Sequence, residues 1–145
     1  VFSPVLLSFG RAISEDNMHK YLAIFLFLFV SGSVISQEEN VPEFSDEDFI
    51  NYIHESLVAS IFEDWEVAYM EGQVGKTESG EIDAQAAYFY STRSNYGDVR
   101  LFLSNTTALL NAIALININA QARGETWTSF KLEFFPDKTH RLTTW

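Results

Sequence analysis

The hydrophobic period of this chain changes from 3.6 to 2, back to 3.6, and to 2 again. That order constrains the fold more than any other feature. Ser45 is a good helix N-cap, and Asp48 completes a capping box ahead of Phe49, Ile50, Ile53, Leu57 and Ile61 at helical spacing. The spacing predicts a helix from Ser45 to about Phe62. Trp65, Val67 and Tyr69 then alternate with Glu66, Ala68 and Met70, which predicts a strand with one buried face. Residues 72–80 are rich in glycine and polar side chains and read as a loop. Ile82, Ala84, Ala86, Tyr88 and Tyr90 form a second alternating run. A turn over 95–98 leads to a third strand over 99–103. Ser104 or Asn105 caps a second helix that runs to about Arg123, with Gly124 as its stop. Thr128, Phe130, Leu132 and Phe134 alternate in a fourth strand over 127–135. After a turn at Pro136, residues 141–145 begin a fifth strand. The order α-β-β-β-α-β-β predicts an α+β domain, with two helices packed on an antiparallel sheet.

The second helix is unusual. Leu109, Leu110, Ile113, Leu115, Ile116 and Ile118 cover most of its circumference. Only Asn111, Asn117, Asn119 and Gln121 mark a polar side. Such a helix is deeply buried or joins two copies, so a homo-oligomer through 105–123 is one expectation.

Met18-His19-Lys20 is a short positive start, followed by an uninterrupted apolar run over 21–30 and small residues up to Ser36. Charge, apolar core and small-residue cleavage site are the parts of a secretory signal peptide. We therefore expect a leader over 18–36, an upstream non-native extension over 1–17, an acidic linker over 37–44 and one domain over 45–145. The protein is expected to be exported, to the periplasm or outside the cell. The formal charge is −11, and the four charged residues of 1–36 cancel, so the charge sits on the domain and its linker. Nucleic acid and anionic membranes are poor partners for such a surface, whereas a basic protein suits it. There is no cysteine, so disulfides, thiolate metal sites and cysteine nucleophiles are excluded.

No catalytic motif emerges. Gly75-Lys76-Thr77 resembles the end of a phosphate-binding loop, but Met70 stands where the pattern needs glycine, and a strand follows instead of a helix. His54 has no second histidine at metal spacing, and no Gly-x-Ser-x-Gly is present. The expectation is no enzyme activity, no metal and no cofactor. Asn105-Thr106-Thr107 is a glycosylation sequon, better explained by the helix cap. Carboxylates crowd the stretch before and within the first strand. Glu63, Asp64, Glu66 and Glu71 are the expected partner-binding residues, and Trp65, Tyr69, Tyr88, Tyr90 and Trp127 are expected to be mainly structural.

Asp64-Trp65-Glu66 with Tyr69, then Tyr88-Phe89-Tyr90, then Trp127-Thr128-Ser129-Phe130, occur in an order that resembles the YezG-type immunity proteins, small antitoxins encoded beside secreted toxins. The resemblance spans about residues 49–145. It implies neutralisation of a toxin by protein binding, without catalysis. Two features depart from the family. This chain has a leader where the family resembles a cytoplasmic group, and its second helix lacks the acids usual there. The combined expectation is an exported acidic protein that binds and blocks a basic toxin or enzyme. A site for a sugar or other small ligand and a small carboxylate-dependent hydrolase are the alternatives.

Overall fold

A computed structural model describes residues 23–24, 44–93, 97–104 and 106–145. Apart from Ala23, Ile24 and Phe44, the expected extension, leader and linker lie outside the described residues. So do Asn105, the sequon asparagine, and residues 95–96 of the expected turn.

Ser45 caps helix α1, Asp46–Val58, as its sequence predicts. Its Oγ accepts from the Asp48 amide at 3.2 Å, and its own amide donates to the Asp48 carboxylate at 2.9 Å. The acids of the first turn face the positive end of the helix dipole. The helix stops at Val58, short of the expected Phe62. Continuing would have carried Glu63 and Asp64 toward the negative end of the dipole, and Ser56 and Ser60 bond back to carbonyls one turn earlier.

Strand β1, Val67–Lys76, runs straight through the segment expected to be a loop. Only Thr77 to Gly80 remain as a tight turn, closed by the Thr77 amide on the Glu81 carbonyl and completed by Gly80 at φ 86°. Strands β2, Ile82–Ser91, and β3, Val99–Leu101, complete a meander. Helix α2, Thr106–Ala122, follows and ends on Gly124 at φ 84°. There the Glu125 amide reaches the Ala120 carbonyl and the Gly124 amide reaches that of Gln121, a Schellman stop. Strands β4, Ser129–Phe134, and β5, His140–Thr144, close the chain. The five strands lie in the order β3-β2-β1-β4-β5, every neighbouring pair antiparallel. The fold is α+β, in the expected order of elements.

The sheet faces correct one expectation. The face of β1 turned to the helices carries Ala68, Met70 and Val74, not Trp65, Val67 and Tyr69. Cross-strand pairing aligns Met70 with Tyr88 and Leu132, and Ala68 with Phe134, so the core rows are continuous across the sheet. On β2 and β4 the expected faces, Ala84 and Tyr88, Phe130, Leu132 and Phe134, do meet the core. Helix α2 is deeply buried, as its composition predicts. Asn117, expected on a polar side, is instead buried and donates from Nδ2 to the Trp127 carbonyl at 3.0 Å. Ile24, from the run expected to be a leader, has 0% exposure and belongs to the same core.

Candidate functional site

Antiparallel pairing brings the start of β1, the end of β2 and the end of β4 to one edge of the molecule, since Val67 pairs with Ser91 and Ala68 with Phe134. The segments beyond those ends surround an open cleft of about 770 Å³, lined by Glu63, Asp64, Trp65, Glu66, Thr92, Arg93 and Pro136. Three of the four acids expected to bind a partner therefore meet in one place. Trp65 is half-buried in the wall.

Two contacts organise the acids. The Tyr90 hydroxyl donates to Glu63 Oε1 at 2.5 Å, which raises the tyrosine pKa through that hydrogen bond. Arg93 Nε donates to Glu66 Oε1 at 2.9 Å, with both side chains largely in water. An exposed pair of that kind adds about 0–1 kcal/mol and serves mainly to set the direction of the chains. Three carboxylates stand against the single guanidinium, so the lining is net negative. Next to Glu63 in the chain, Phe62 is 95% exposed, an apolar ring left uncovered by the described residues. The sequence concealed Phe62 because helical spacing carried it to the end of α1. Arg93 and Pro136 also escaped notice, since only the strand pairing reveals that their loops meet.

Glu71 lies elsewhere. It sits on the open face of the sheet, opposite Lys131 on β4 and Ala87 on β2. The neighbouring row on that face runs Arg100, Phe89, Tyr69, Glu133, Arg141 across all five strands. Tyr69 stacks on Phe89 with centroids 5.1 Å apart, and Lys131 Nζ stands 4.3 Å over its ring. The Tyr69 hydroxyl donates to Asp98 at 2.5 Å. Burial first, and that bond to Asp98 second, push the phenol far above its ordinary value. Glu133 is buried between Arg141 at 2.7 Å and Lys131 at 3.5 Å. The hydrogen bond from Arg141 holds its carboxyl below the usual range. Tyr69 is thus covered on the open face, not on the helix side.

Trp127 and Tyr88 are buried in the core. Trp127 packs edge-on against Phe130 with centroids 6.1 Å apart. The Tyr88 hydroxyl is buried without a hydrogen-bond partner among the described residues, and burial pushes its pKa up to about 12. His54 stacks on Phe134 at 5.1 Å. Burial, then Lys138 and His140, lower its pKa. Among the described residues, no group of three His, Asp or Glu is placed to hold a metal ion, and no helix is long and apolar enough to cross a membrane.

The cleft offers carboxylates to receive ammonium or guanidinium groups, and the adjoining Phe62 offers an exposed ring to be covered by an apolar surface. No protein-family model matches the chain, and no curated protein matches it.

Proposed function

We propose that this protein binds and blocks a basic protein, a toxin or enzyme acting in the same exported compartment, in the manner of an immunity protein. The observation that carries the proposal is the cleft in which Glu63, Asp64 and Glu66 meet beside the exposed Phe62. An apolar anchor with a polar rim is the usual anatomy of a protein interface. The net charge of −11 adds long-range attraction for a basic partner. The resemblance to YezG-type immunity proteins points the same way. Glu71 belongs to a different face and has no part in this contact.

The partner is sought in the neighbouring gene product. Co-expression of this chain protects cells from that product, and Phe62→Ala or Asp64→Lys removes the protection while the variants stay folded. Truncating a central anchor costs at least about 2 kcal/mol, or roughly thirtyfold in affinity. The association rate falls steeply from low to physiological ionic strength. Protection that survives both substitutions, or an association rate indifferent to salt, rules the cleft out.

A further inference from the structure

A second surface carries different chemistry. Toward the β1–β2 turn, the open face of the sheet changes from charged to amide. Gln73 pairs with Gln85 on β2 and with Ser129 on β4. The Trp145 amide and carbonyl both bond the backbone of Ser129, which sets Trp145 at the end of the same row. These residues and Glu71 wall a trough of about 560 Å³, within the usual size of small-molecule sites, about 300–1,000 Å³.

Gly72 and Ala86 pair across β1 and β2, and a Cβ on Gly72 would lie 1.8 Å from the Gln85 carbonyl oxygen. Gly72 lies in the core-facing row with Met70 and Val74, so between Glu71 and Gln73 the open face presents backbone alone. The walls hold two primary amides, one hydroxyl and one carboxylate, with no lysine or arginine among them. The nearby Lys131 is engaged by the Tyr69 ring and by Glu133. An anion finds no counter-charge in the trough. The Trp145 indole is 64% exposed, a flat apolar surface beside a row of hydrogen-bonding groups.

We propose that this trough binds a neutral saccharide. Its apolar C–H face packs on Trp145, and its hydroxyls bond Gln73, Gln85, Ser129 and Glu71. Amides and a carboxylate accept and donate to vicinal hydroxyls in ways a single cation cannot. The site is separate from the acidic cleft and does not rest on the protein-binding proposal.

The full chain is titrated with neutral trisaccharides of the cello-, malto- and chito- series, read by tryptophan emission and by saturation transfer from protein to sugar in NMR. A saturable response to at least one series is expected. Trp145→Ala and Gln73→Ala each weaken it by about tenfold or more, whereas Trp145→Phe retains most of it. Trp145 is exposed and holds its strand through its backbone, so these variants keep the far-UV spectrum of the parent. Added salt leaves the affinity unchanged, in contrast to association at the cleft. The proposal is overturned by the absence of a saturable response in every series, by unchanged affinity in Trp145→Ala, or by stronger binding of an acidic oligosaccharide than of its neutral counterpart.

Discussion

Single residues show how little freedom this fold leaves to individual side chains. At Gly72 the β1 and β2 backbones approach so closely that a methyl group would meet a carbonyl oxygen at 1.8 Å. Relief requires the strands to separate, so Gly72→Ala is expected to cost about 1–3 kcal/mol by chemical denaturation, the range for overpacking. Gly75→Ala, whose Cβ would meet nothing within 4 Å, serves as the control and costs little. His54 makes stability depend on pH. Its pKa in the folded protein lies below the ordinary 6.5 because it is buried on Phe134, with Lys138 and His140 close by. Glu55 at 3.9 Å, and Glu47 beside His140 at 3.8 Å, face the same cluster. The unfolded chain therefore takes up the proton first as pH falls. The contribution from His54 is complete above 6.5 and is lost as pH drops from there through the folded value. His54→Phe keeps the ring stack and removes the proton. Thermal melts of this variant should fall less steeply than the parent between pH 7 and 5, these limits being about the span in which histidine titrates. An equal slope in both proteins would assign the pH dependence elsewhere. The orphan hydroxyl of Tyr88 predicts the opposite of the usual truncation penalty. Tyr88→Phe should be neutral or slightly stabilising, because it removes a buried polar group that has no partner among the described residues.

At the scale of elements, periodicity revealed what each segment is and hid which way it faces. Both helices, the start of α1 and the stop of α2 were legible, since Ser45, Asp48 and Gly124 carry local chemistry that tertiary packing did not override. Strand β2 was legible because only one of its alternate sets is consistently apolar. Strand β1 was misread in extent and in face for connected reasons. Gly72, Gly75 and Lys76 resemble a loop, but Gly72 is there because the neighbouring strand leaves no room. Tyr69 looks like a core residue, yet it is covered on the opposite face by Phe89 and Lys131. A strand with apolar groups on both sides cannot declare its inner face, and only the rows of its neighbours decide it. The cleft was half legible: the acids stand together in sequence, while Arg93 and Pro136 arrive from strand ends that only pairing brings near. Asn117 shows the same limit on α2. Its polarity suggested a solvated side, but its amide closes the Trp127 carbonyl inside the core. Asn117→Ala is expected to cost about 1–3 kcal/mol in chemical denaturation, because that carbonyl is left without its donor. A smaller loss would mean that the bond contributes little.

Over the whole molecule, charge and core pull in opposite directions. A net −11 on a chain of 145 residues repels itself, and raising ionic strength screens that repulsion. The melting temperature should therefore rise with added sodium chloride, whereas a fall would show that the ion pairs of Glu133 and Arg123 outweigh the excess charge. The core has its own history to settle. Ile24 is wholly buried among residues of α1, α2 and the sheet, yet it lies inside the run that reads as a removable leader. If that run is removed as a leader, folding and processing compete for one side chain, and their order matters. A chain cut after it has folded gives up a buried isoleucine, a loss comparable to an isoleucine-to-alanine change at about 2–5 kcal/mol. A chain cut first never gains it. Ile24→Ala in the full chain measures the difference, and an unchanged melting temperature would show that there is none. If the difference is real, the uncut form is the more stable of the two. In a chain whose leader is cut, time spent folded would then delay that cut.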